Sequence, residues 1–357
     1  MQTLKMPQLS NKLPPKEITG PSAWYGRDMR KTDAWMFRLS KADIGEIESA
    51  VEASRKLRIQ DIGKAEFPLP KLGPRLDALM DELLDGRGFT LIRGLPMDRF
   101  DTETAARAYW GLGRYLGDPR SQNAKGDLLG HVTDVNRTSA DVTARLYQTS
   151  EKLYFHPDST DIVGLLCLRQ AMTGGGSSVV SSVTVYNEMQ KRRPDLAEVL
   201  LRPVCIDRRS EVPEGKKPWF EMPIFNWHQG LLTTNYTRPY ILSAQRFEGV
   251  PRLTPAQIEA IDYLHELCED PELHLDMDFE PGDMQFLQNW QTMHNRTAYQ
   301  DWPEPERRRH LLRLWLCTPR GRELPPAFGD RNLSIKIGDR GGIVVPSTRF
   351  NVTLEVS

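Results

Sequence analysis

The chain has 357 residues, 47 Lys+Arg against 48 Asp+Glu for a formal net charge of −1, and 39% hydrophobic residues. That balance describes an ordinary globular protein and excludes the basic excess that a nucleic-acid or anionic-membrane partner would need. Cys167, Cys205, Cys268 and Cys317 are scattered without a C-x-x-C pair, which excludes a zinc ribbon or disulfide scaffold and favours the cytoplasm.

Residues 1–70, rich in charge and Pro, read as an N-terminal extension packed on the core, with one amphipathic patch around Ile44, Ile47 and Val51. Residues 71–357 then form one domain. Leu72, Leu76, Leu79, Met80, Leu83 and Leu84 recur at helical spacing, stopped by Gly86 and Gly88. Phe89 to Arg93 reads as a strand, and Asp101-Thr102 can cap a helix reaching about Leu116. The polar stretch 120–150 has no clear period and is a candidate lid. Residues 153–169 and Val179 to Val185 read as strands separated by Gly174-Gly175-Gly176. A helical segment follows over Asn187 to Leu201, broken near Pro194, and residues 202–250 alternate strand-like pieces with turns. Thr254-Pro255-Ala256-Gln257 is a helix start, with Thr as N-cap, Pro at N1 and Gln at N3. Met284 to Gln288 and Arg309 to Thr318 are two late strands. No segment offers the ~20 apolar residues of a membrane span. Many short strands with a few helices predict an α+β protein with a mainly β core.

The sharpest local feature is Phe155-His156-Pro157-Asp158. In a strand, i and i+2 share a face, so His156 and Asp158 would point together. They make two thirds of a two-His-one-carboxylate triad, the arrangement that leaves open positions on non-haem Fe(II). The third ligand must come from elsewhere. His294, on a polar exit from the 284–287 strand, has the most suggestive setting, while His131 and His228 remain open and His265 and His274 fall in or after a helix. In the late strand, alternation sets Arg309, Leu311, Arg313 and Trp315 against His310, Leu312, Leu314 and Leu316. A buried Leu face leaves the two Arg facing solvent or a barrel interior, and an interior guanidinium requires an anion, whether a protein carboxylate or a ligand.

The stretches FHPDSTDIVGLLCLR (155–169), GGGSSVVSSVTVYNEM (174–189), PGDMQFLQNWQTMHNRTAY (281–299) and RRRHLLRLWL (307–316) occur in the order found in the TauD/TfdA family of Fe(II)- and 2-oxoglutarate-dependent dioxygenases, which the chain resembles over about residues 85 to 320. The resemblance implies a double-stranded β-helix, a jelly roll with flanking helices. It further implies His156, Asp158 and His294 as iron ligands, Ser177 and Arg309 as contacts of 2-oxoglutarate, and Arg313 as a contact of an acidic group on the substrate. Fe(II), 2-oxoglutarate and O2 would then oxidise an unactivated C–H of a small, anionic organic molecule, by default as a hydroxylation, releasing succinate and CO2. Two departures from the family pattern are Pro157 between the ligands, which would stiffen or end the strand, and Asn295 before Arg296. The segment Asn235 to Tyr240 concentrates aromatics and a cation, as a packing turn or a substrate contact. Two other classes compete: a zinc hydrolase using the same two His and one Asp, which would need a carboxylate base, and a non-catalytic jelly-roll binding protein. Oligomeric state is not legible.

Overall fold

Two facing sheets collect the chain's aliphatic runs in the computed structural model, which describes residues 13–138, 146–332 and 334–356. The larger sheet has seven strands: β1 (Met36–Arg38), β2 (Phe89–Arg93), β3 (Asp118–Pro119), β4 (Leu129–Val132), β6 (Ile162–Arg169), β9 (Met284–Gln288) and β11 (His310–Cys317). Their order is β1-β2-β9-β6-β11-β3, with β4 also paired to β11, and only β1–β2 is parallel. The smaller sheet, of order β8-β7-β10-β5, is built from β5 (Leu153–His156), β7 (Ser177–Ser181), β8 (His274–Met277) and β10 (Thr292–Arg296).

Period-2 alternation sorts the apolar side chains into three layers. On one face of β11, Leu312, Leu314 and Leu316 join Ile47 and Ala50 of α1 (Lys41–Ser54), Leu76 and Met80 of α2 (Leu72–Leu84), and Tyr109 and Leu112 of α3 (Thr102–Leu116). On the other face, Leu311 and Trp315 meet Val163, Cys167 and Leu287 of the same sheet and Val179, Leu275 and Met277 of the opposite one. That cluster glues the sheets together. Behind the smaller sheet, Phe155, Val180 and Met293 bury against α4 (Ser182–Arg192), α5 (Pro194–Val199), α6 (Arg238–Ala244) and α7 (Pro255–Glu269). Each fully buried Leu or Met in these layers stabilises the fold by roughly 1.5–3 kcal/mol.

Helix starts follow the local signals. Thr254 and Gln257 form a reciprocal capping box, and Asp101 accepts from the Thr104 N–H. Three expectations differ from the outcome. The β-branched run Val179 to Val185 is not one strand: Ser181 accepts from the Thr184 N–H and caps α4, so Val183 and Val185 pack as helix residues. The segment 235–240 leads into α6, with Pro239 in its first turn. The polar stretch after 120 contributes β4, held in register with β11 by Leu311↔Val132 and Arg313↔Gly130; its residues 139–145 lie outside the described ones. Most consequentially, residues 289–294 are not a loop exit. A turn over 289–291 carries the chain from β9 in the large sheet to β10 in the small one. The turn leading into β9 needs Gly282, whose φ is +92°, since a Cβ there would strike the Leu95 carbonyl. All four cysteines are free and buried, and no helix among the described residues is long and apolar enough to cross a membrane.

Candidate active site

Strand register brings the site together. His294 lies in the middle of β10 directly opposite His156, the last residue of β5, so the two rings sit with centroids 4.4 Å apart and planes tilted by 42°. β5 ends at His156, and Pro157, without a backbone N–H, does not extend it. The shared-face argument therefore fails for Asp158, which reaches the imidazoles from the following turn. Asn289 fixes that turn: its Oδ1 accepts from the Asp158 N–H at 2.9 Å and its Nδ2 donates to the Thr160 carbonyl at 3.0 Å. Asp158 Oδ1 is then 3.9 Å from His156 Nε2, and Asp158 Oδ2 is 3.8 Å from His294 Nε2. One ligand atom from each of the three residues lies within 4.8 Å of the others.

The donor set suits a metal ion. The His156 Nδ1–H donates to the Tyr154 carbonyl at 2.7 Å, which leaves Nε2 with its lone pair toward Asp158. Asp158 Oδ2 is buried with no hydrogen-bond partner, a costly state that a ligated cation relieves. Separations of 3.8 and 3.9 Å are below twice a metal–ligand distance of about 2.1 Å, so a single ion can bridge them. Burial pushes the His156 imidazole down, and burial with the neighbouring His156 takes His294 down to about 3, so both rings are neutral and able to ligate. Burial alone would raise the Asp158 carboxyl, but its surroundings, the Arg313 guanidinium first among them, hold the group below its ordinary value.

Two cavities meet here, sharing Tyr147, Leu153, His156 and Arg313. The inner one runs between the sheets to Ser177 and Arg309. Arg309, just before β11, is 4% exposed; its Nη2 donates to the Gly175 carbonyl at 3.4 Å, and its Nη1 has no partner. The Ser177 hydroxyl, at the start of β7, makes only a long 3.5 Å contact with the Asn295 carbonyl. Arg296, which the sequence reading had not weighed as a site residue, lines this cavity too. Burial and then Arg309 depress its guanidinium to about 10.

The outer cavity, about 150 Å³, opens past Asp158 toward Asn235, Tyr240 and Arg331. Arg313 stands between the two: its Nε donates to Gln122 Oε1 at 2.7 Å, Nη1 is 3.8 Å from Asp158 Oδ1, and the guanidinium lies over Tyr147 and Trp315. Gln122, Asn289 and Arg331 were not singled out from the sequence. A polar side chain in a connection carries no period, and Arg331 lies beyond the last recognisable strand. The remaining candidate His lie elsewhere. His131 Nδ1 pairs with His310 Nε2 at 2.8 Å, His228 faces Glu323, His265 faces Glu269, and His274 Nδ1 bonds the Cys268 carbonyl.

The comparisons with known proteins point the same way. The model of the family described as "Taurine catabolism dioxygenase TauD, TfdA family" matches residues 53–315. The chain is 31% identical over 330 residues to FR-33289 synthase of Streptomyces rubellomurinus, covering 90% of this chain and 96% of that one. It is also 31% identical over 315 residues to the taurine hydroxylase-like protein SAT17 of Stachybotrys chartarum, covering 84% and 79%. A solved structure of asparagine oxygenase with Fe(II), (2S,3S)-3-hydroxyasparagine and succinate superposes with a TM-score of 0.60 at 18% identity, over 79% of this chain and 93% of that one. These relatives favour neither the zinc hydrolase nor the non-catalytic alternative. The chain belongs to the TauD/TfdA family and is a 2-oxoglutarate-dependent non-haem iron dioxygenase that acts on a small molecule.

Proposed function

We propose that His156, Asp158 and His294 hold the Fe(II), that Ser177 and Arg309 hold 2-oxoglutarate in the inner cavity, and that Arg313 faces an anionic group of a small organic substrate in the outer one. The observation that carries this reading is the position of the ligand triad at the junction of two cavities, one of which ends at a buried guanidinium with an unpartnered Nη1. The two opposed sheets read as a double-stranded β-helix, and residues 71–357 as one domain on which the residues before 71 pack as an extension.

When bound, the iron and its cosubstrate supply the oxidising chemistry: O2 and 2-oxoglutarate are consumed, succinate and CO2 leave, and a substrate C–H is oxidised, by default hydroxylated. The chain's own residues position and shield. Tyr154 and Asn289 hold His156 and Asp158 in orientation. Arg309 offers a planar fork to the distal carboxylate of 2-oxoglutarate, and the Ser177 hydroxyl adds a donor beside it. Val132, Leu165 and Leu311 line the inner cavity with hydrocarbon and limit water around the reacting groups. Arg313, braced by Gln122, presents its free edge to the substrate's anion.

The test is anaerobic addition of Fe(II) and 2-oxoglutarate, read by the charge-transfer band of the chelate. A band in the wild type that disappears in His156→Ala is the expected result. No band, or iron binding undiminished in His156→Ala, would end this assignment. Succinate release across a panel of small acids and amino acids then narrows the substrate.

A further inference from the structure

The C-terminal segment brings a second guanidinium to the outer cavity. Arg331 belongs to the short helix Phe328–Asn332, beyond residue 315 where the family match ends, and it lines the same cavity as Asp158 and Arg313. Its Nη2 donates to Ser159 Oγ at 2.8 Å, one residue from Asp158, and its Nη1 donates to Asn235 Oδ1. Both acceptors are neutral, and among the described residues no carboxylate pairs with it. The helix's own carboxylate, Asp330, is already committed to Arg208 at 3.2 Å and Lys216 at 2.9 Å. Burial depresses the guanidinium to about 10, with Asp158 the first charge to oppose that shift.

Two other carboxylates line the same wall. Asp207 is engaged by Arg246 at 3.1 Å and by the Ser243 hydroxyl at 2.8 Å, and Glu211 accepts from the Ala124 N–H at 3.1 Å. Asp158 is the carboxylate nearest Arg313, and as a metal ligand its charge is shared with the ion. Arg313 and Arg331 therefore face one small cavity in which Arg331 meets only neutral acceptors and Asp158, as a metal ligand, would share its charge with the ion, an arrangement that an anionic ligand completes.

We propose that Arg331 and Arg313 form a two-guanidinium cradle for a tetrahedral dianion on phosphorus, a phosphonate or phosphate monoester carried by the substrate. A carboxylate carries one charge on two oxygens, and a sulfonate has three oxygens but also only one charge, so neither balances two guanidinium groups. A phosphoryl group carries nearly two charges and three acceptor oxygens, so it can accept a fork from each arginine. The inference rests on the outer cavity being the substrate site, as proposed above, and it assigns the substrate class of that site.

The experiment uses the full chain loaded anaerobically with Fe(II) and 2-oxoglutarate, at about pH 8.5, well above the second ionisation of a phosphate monoester near 6. Four probes of matched length are titrated by calorimetry: propylphosphonate, ethyl phosphate, propanesulfonate and butyrate. At least one phosphorus dianion is expected to bind about tenfold or more tightly than the two monoanions, and the tighter of the pair distinguishes a phosphonate from an ester. Arg331→Gln is expected to shrink that preference to about threefold or less while the charge-transfer band persists. Should Arg331→Gln fail to fold, Arg331→Lys, which keeps the charge and loses the fork, is expected to fall between. Equal affinities, no measurable binding of either dianion, or a preference undiminished in the variants would overturn the proposal. Absence of the band in the wild type would overturn the functional reading and this one with it, whereas a normal band with equal affinities overturns this one alone.

Discussion

The two cavities that meet at His156 are built differently. The inner one is walled mainly by strand residues: Ser177 on β7, His294 and Arg296 on β10, Leu311 and Arg313 on β11, with Arg309 just before that strand. The outer one takes most of its polar wall from connections and from the C-terminal segment, including Gln122, Asn235 and Arg331. Sheet register places most of the inner groups. Turns and tail fix the outer ones by individual side-chain bonds. A scaffold of this kind can hold the cosubstrate's chemistry constant while the substrate wall varies.

Variants can break that division, and the largest effects belong to the junction. Asp158→Ala should abolish the charge-transfer band and lower succinate release by at least about 10³-fold, measured under saturating cosubstrate. Arg309→Ala, at the inner end, should raise the Kd for 2-oxoglutarate by about 10–100-fold, because two charge-assisted hydrogen bonds are lost. Titrating the band with 2-oxoglutarate reads this directly, and an unchanged Kd would place the distal carboxylate elsewhere.

The outer wall is anchored by a buried pair. Arg340 Nε donates to Asp161 Oδ1 at 2.8 Å with both side chains essentially inaccessible, and Asp161 also accepts from Trp290 Nε1 and the Thr318 N–H. Arg340→Ala leaves that carboxylate uncompensated and should cost about 3–5 kcal/mol, seen as a lower urea midpoint. Arg313→Ala should raise the substrate KM by about tenfold while the Kd for 2-oxoglutarate stays within about twofold. Equal weakening of both would erase the distinction between the cavities.

A further effect concerns pH. Burial, then His131 and Arg169, take His310 down to about 3, against an ordinary value of 6.5. The unfolded chain therefore binds the proton more readily than the native one, so stability falls as pH drops from about 6.5 toward 3. Urea midpoints of the metal-free protein should follow that slope, and His310→Asn should make it shallower while leaving the part that the depressed His156 and His294 contribute.

Much of this was legible in the chain itself. Alternation along Leu311 to Leu316 assigned both faces of β11, and the capping signals at Thr254 and Asp101 located two helices. His156 and Asp158 stood out as a pair, though for a reason the structure corrects: the strand stops at His156, and Asn289, 131 residues from Asp158, holds the carboxylate in place. Val179 to Val185 shows the opposite failure, where one serine cap outweighed a run of β-branched residues.

The sequence by itself determined what is local and periodic: which strand faces are apolar, where helices begin, and that a His, an Asp and two Arg sit where hydrocarbon would be expected. Only the tertiary structure decided which distant residues meet them. His294 reaches His156 because β10 pairs with β5, and Arg331 reaches the ligand turn because the tail is bound back across the sheets. Periodicity reports a residue's immediate backbone geometry, whereas pairing between segments far apart in the chain is selected by packing, hydrogen bonding and charge compensation over the whole fold.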